Sequence, residues 1–155
     1  MLKRFCLAAV MCLIAFSAYA EEKKFDNFSV DMPSGWQLMG EPVKQMGAEV
    51  VMMANPAEGA VVIVTFAPTQ GEDLKAVVEQ TKQAMKAQGM DLNVAEENDT
   101  KIVFEGKQAG QEVKLLLTVD PDAKQIGTMV YSGKVAAGEV VGKTVKTTNS
   151  KLAFY

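Results

Sequence analysis

The chain has 155 residues, two cysteines, no histidine and a formal net charge of −3. Without imidazole it lacks the usual general base and the commonest zinc ligand. An acidic balance with no basic patch argues against nucleic acid or an anionic membrane surface as partner. The length suits one domain that buries roughly two-thirds of its unfolded surface without staples.

Met1 to Ala20 reads as a signal peptide. Lys3 and Arg4 form a positive start, Phe5 to Phe16 an apolar stretch, and Ala18-Tyr19-Ala20 a cleavage site. The apolar stretch is too short to span a bilayer, and no later one reaches the roughly 20 residues required. Cys12 raises a lipoprotein reading, but Ala9-Val10-Met11 lacks the usual Leu and small residue before the cysteine. The expected product is a periplasmic or secreted chain, residues 21–155, cleaved after Ala20. It loses Cys6 and Cys12 and carries 14 basic and 19 acidic residues, a net −5.

Glu21 to Lys24 reads as a short charged lead. Phe28, Val30 and Met32 then alternate with polar residues as a half-buried strand, broken by the turn Pro33-Ser34-Gly35 before Trp36. Val50 to Ala54 predicts a strand, paired as a hairpin with Ala60 to Ala67. That second run is β-branched throughout and reads as buried on both faces. Leu74 to Gln88 switches to helical spacing, with Leu74, Val77, Val78, Thr81 and Met85 on one stripe. Thr69 with Glu72 fits a capping box, and Gly89 sits where a left-handed residue ends a helix.

A meander follows: Leu92 to Glu97, Thr100 to Lys107, Val113 to Asp120 and Ile126 to Ser132. Val103 beside Phe104 and Leu116 beside Leu117 make these strands apolar on both faces, so both faces require cover. Ala137, Val140, Val141, Thr144, Val145 and Thr148 repeat at helical spacing and predict a terminal helix as that cover, with Val141 and Val145 in the core. Gly138 and Gly142 weaken such a helix by about 1 kcal/mol each relative to Ala. The fold class expected is α+β, one antiparallel sheet covered by helices on both faces.

The run Phe28-Ser-Val-Asp-Met-Pro-Ser-Gly-Trp36 and the strand-to-helix unit 60–89 resemble the PsbP-like superfamily, which includes exported bacterial proteins of the DcrB type. The resemblance implies an α/β/α sandwich. It carries no single activity, because members of that superfamily bind different partners.

Four motifs invite chemistry, and each has a plainer reading. Ala137-Gly-Glu-Val-Val-Gly-Lys-Thr144 satisfies a relaxed phosphate-loop pattern, but only eleven residues follow it, and a glycine-containing helix explains it better. Met39, Met46, Met52 and Met53 could offer thioethers to copper(I), though methionine also fills cores, and the core reading is preferred. Glu96-Glu97-Asn98-Asp99 and Asp120-Pro121-Asp122 could hold calcium weakly, but Asp and Asn also favour hairpin turns. No serine lies in a G-x-S-x-G elbow. No catalytic, cofactor or metal residue is therefore assigned. The expectation is a non-enzymatic binding module of the cell envelope, taking a protein partner or small apolar ligand. The alternative is a carboxylate-dependent hydrolase using Glu96, Glu97 or Asp99.

Overall fold

The structure is a computed structural model describing residues 20–155. The expected signal peptide, with Cys6 and Cys12, lies outside the described residues apart from its last residue, Ala20. The elements are β1 (Glu21–Lys24), β2 (Phe28–Met32), β3 (Gln37–Leu38), β4 (Val43–Gln45), β5 (Ala48–Asn55), β6 (Ala60–Pro68), α1 (Leu74–Ala87), β7 (Met90–Glu97), β8 (Lys101–Gln108), β9 (Gln111–Asp120), β10 (Gln125–Gly133), α2 (Val135–Gly142) and β11 (Lys146–Thr147). A 3-10 turn, Ser150–Leu152, follows β11.

Eight strands form one antiparallel sheet in the order β3-β5-β6-β10-β9-β8-β7, with β4 also pairing with β5. Three more form a small sheet, β1-β2-β11. Four successive antiparallel steps separate β6 from β7, so these two run parallel, and α1 carries the chain across β10, β9 and β8 to join them. Asp73 caps α1, accepting a hydrogen bond from Ala76 N at 2.9 Å. The expected capping box at Thr69 is absent: Thr69 and Glu72 instead accept from Gly71 N and Gln70 N within the preceding loop. Gly89 is left-handed as expected, with φ +71°.

Side-chain alternation divides the apolar residues between two cores. On the inner face, Val51, Met53, Val62, Val64, Phe66, Met129 and Tyr131 pack against Phe28, Val30 and Met32 of the small sheet, and against Val141, Leu152 and Phe154 of the tail. On the outer face, Val77, Val78 and Met85 of α1 pack on Ile102, Phe104, Leu115, Leu117 and Val119.

An α/β/α sandwich with helices covering both faces is therefore not what forms. Half of the described residues lie in strands and under a fifth in helices. The inner face is covered largely by a second sheet, with the eight-residue α2 beside it, and α1 covers the β8–β9 half of the outer face, with Met90 and Leu92 of β7 and Ile126 and Val130 of β10 packed at the borders of that core. Three local features explain the difference. Glu21–Lys24 is not a lead but a strand, registered Glu21↔Met32 to Lys24↔Ser29. The terminal helix stops at Gly142, after which Thr144 Oγ1 bonds Val141 O at 2.8 Å and Asp31 O at 2.9 Å, and the chain turns into β11. Finally, β6 is buried on one face alone: Val62, Val64 and Phe66 are inside, while Val61, Ile63 and Thr65 are half-exposed.

Candidate functional site

The uncovered part of the outer face is the surface with most to offer a partner. Register places Val50 opposite Val43 and Thr65, Met52 opposite Ile63, and Met39 beside Met52 through Met39 N donating to Met52 O at 2.8 Å. Met39 is 49% exposed, Val43 52% and Met52 37%, although a large apolar side chain ordinarily gains by burial. A depression of ≈ 350 Å³ between Val43, Gln45, Met46, Ala48 and Val50 continues the face to its edge. There Met46 and Gly47, with φ of +51° and +80°, form the two-residue turn joining β4 to β5. Met46 is 91% exposed at its tip, at a position where Asn or Gly would be less strained.

The methionine cluster expected to be core is thus divided. Met53 is fully buried, whereas Met39, Met46 and Met52 face outward. Alternation along β5 sends the adjacent Met52 and Met53 to opposite faces, so a strand here cannot bury both in one core. Five residues separate Met46 at the turn from Met52 along β5, so the three exposed thioethers do not converge.

The remaining sequence candidates are occupied by structure. Gly138 and Gly142 of the phosphate-loop-like stretch lie inside α2 against Tyr131: a Cβ on Gly142 would sit 1.9 Å from Tyr131 Oη. Lys143 is exposed, its ammonium 5.9 Å from the Tyr155 ring centroid. Glu96, Glu97 and Asp99 are exposed around the β7–β8 hairpin, where Glu96 pairs with Lys101 at 3.0 Å and Asn98 Oδ1 accepts from Lys101 N at 2.9 Å. The three are not gathered in a cleft. Asp120 accepts from Asn149 Nδ2 at 2.9 Å, and Lys151 lies 2.7 Å from Asp122. The hydrogen bond from Asn149 holds the Asp120 carboxyl below its ordinary range, helped by Ala123 N and Lys151. Among the described residues, no group of three or more acidic, cysteine or histidine side chains is arranged to hold a metal.

Two polar clusters escaped the sequence reading. Glu49, 3% exposed, accepts from the backbone N of Asp26 (3.1 Å) and Asn27 (3.0 Å) and from Asn27 Nδ2 (2.8 Å). Its carboxylate fastens the segment leading into the small sheet's β2 to β5. Lys114 sits between Glu139 (2.8 Å) and Glu105 (2.9 Å), which ties α2 to the large sheet. Burial works against the Lys114 charge, but hydrogen bonds to the two carboxylates outweigh it and raise its pKa. A lysine held in that way is no nucleophile at neutral pH. Beneath α2, burial pushes the Tyr131 phenol well above its usual range, and its hydroxyl meets Met129 Sδ and Tyr155 Oη, each at 2.8 Å.

No protein-family model matches the chain, nor does any curated protein. Among solved structures the chain is similar to a Bacteroides thetaiotaomicron protein determined by crystallography, with a TM-score of 0.43 and 12% identity over 79% of this chain and 46% of that one. The chain thus spans less than half the length of that protein.

Proposed function

We propose that this protein is a non-enzymatic accessory module of the cell envelope that works by docking a protein partner on the uncovered β5–β6 face. The observation that carries the reading is the contiguous exposure of Met39, Val43 and Met52 beside half-exposed Val50 and Ile63. An apolar patch of this kind on a folded surface marks an interaction site, and flexible thioethers suit adaptable contacts. The flat face favours a protein surface over a small apolar ligand, which binds best in an enclosing cleft. Export rests on the features of Met1 to Ala20, and the likeness of Phe28–Trp36 to the PsbP-like opening turn belongs to the same proposal.

The test is affinity capture from an envelope fraction with the exported chain and its Met52→Lys and Val43→Lys variants. Specific capture that both substitutions abolish, with the unfolding midpoint unchanged, supports docking at this face. Capture that survives both moves the site elsewhere.

A further inference from the structure

Resting on the docking face just described, we infer that its occupant is a second copy of this chain, packed sheet on sheet about a twofold axis. The outward positions of β5, β6 and β10 and of the β3 and β4 segments opposite them are Val, Ile, Met, Ala, Thr, Ser and Gln, with no charged residue among them. Lys44 and Glu49, the charged pair in the same hairpin, occupy inward register positions. Two chains each carrying −5 after processing repel one another over most of their surfaces. An uncharged face lets them meet without placing like charges in contact, and it complements itself under twofold symmetry.

The face is also poor in groups that would select a different partner. The backbones of β5 and β6 are paired on both sides, leaving Thr65, Thr128, Ser132, Gln37 and Gln45 as the uncharged hydrogen-bonding side chains of the face. Such a surface recognises flatness and apolarity, which an identical sheet face supplies at the usual spacing of about 10 Å between packed sheets. Strand spacing of about 4.8 Å and a rise of about 3.3 Å per residue give the uncovered strands roughly 500 Å² of projected area per copy. Two copies would therefore bury about 1,000 Å², near the lower limit for a specific interface, the size class of weak and reversible complexes. The other end of the large sheet is less suited to self-pairing. Strand β7 presents Asp91, Glu96 and Glu97 and is bulged between Val94 and Glu96.

Sedimentation equilibrium on the chain beginning at Glu21, from about 1 µM to 1 mM, tests the inference. The expected result is a monomer–dimer equilibrium that Met52→Lys weakens by about 100-fold or more, because association would bury an unpaired ammonium from each copy. Val43→Lys should act in the same direction. Val140→Lys, exposed on α2 away from the face, should leave the equilibrium unchanged, and circular dichroism should show all three variants folded. A monomer throughout the range overturns the inference, as does a dimer indifferent to Met52→Lys and Val43→Lys. If the wild type is monomeric but its envelope capture is still lost on Met52→Lys, the docking face stands and the second copy does not.

Discussion

Asn27 and Glu49 lie 22 positions apart, yet the Glu49 carboxylate receives both the backbone N–H and the side-chain amide of Asn27, at 3.0 and 2.8 Å. Asn27 then accepts from Gln125 Nε2 through Oδ1 and from Thr148 N through its carbonyl, at 2.9 Å each. One residue thereby ties β2's lead-in to β5, β10 and the tail. Glu49→Ala leaves several of these donors without a partner, at a cost of about 2–4 kcal/mol. Chemical denaturation measures it, and a loss under 1 kcal/mol would show that the small sheet is held mainly by its apolar contacts.

Gly142 tests the reading of α2. By propensity alone, Gly142→Ala should stabilise a helix by about 1 kcal/mol. The Tyr131 hydroxyl lies where the new methyl would go, so the expected outcome is a net destabilisation of roughly 2 kcal/mol or more. Tyr131→Phe removes the nearest obstructing atom, and the double variant should therefore recover part of the loss relative to additivity. Additive effects would mean that α2 shifts away from the sheet instead.

Val141 and Lys143 separate helix packing from phosphate binding. Val141 is fully buried, and Val141→Ala should cost about 2 kcal/mol in transfer and cavity terms. Lys143→Ala should change stability by less than about 0.5 kcal/mol. ATP should leave the melting temperature unmoved in all three proteins. A saturable ATP-dependent rise, lost in Lys143→Ala, would contradict the assignment.

Exposure orders the methionines for oxidation. Under mild peroxide, Met46, Met39 and Met52 should convert to sulfoxide before Met53 and Met129, both fully buried. Peptide mass spectrometry over a time course gives the order. Early oxidation of Met53 would mean that β5 opens or that its faces are reversed.

Asp120 sets an acid-side dependence. Its folded pKa lies below the unfolded one, so its stabilisation is present above about pH 4 and is lost as pH falls through the folded value. The stability difference between wild type and Asp120→Asn should be largest near neutrality and shrink in acid. A difference that grows as pH falls would reverse the sign.

Much of the sheet was legible because β5 to β10 carry long alternating or β-branched runs between strong turns. β1 was not, because Glu21, Glu22, Lys23 and Lys24 have no apolar face and pair only through backbone bonds to β2. β3 and β11 are two residues long, too short for any period to register. The terminal helix was overextended because Thr144 and Val145 keep the spacing, while the Thr144 hydroxyl bonds that end it depend on Asp31, 113 residues away. The proposed docking face was half visible: strands apolar on both sides demanded cover. That α1 would leave Val50, Met52 and Ile63 without it follows from where the helix lands, over β8 and β9.

The most direct test of the account is site-specific photo-crosslinking in intact cells from a photoreactive residue at position 52, with one at position 140 as control. Both positions are exposed in the isolated chain, and only the first lies on the proposed face. The account predicts a discrete protein adduct from position 52, abolished by Val43→Lys, and none from position 140. An adduct from position 140 alone, or none from position 52 in cells that export the protein, would contradict it.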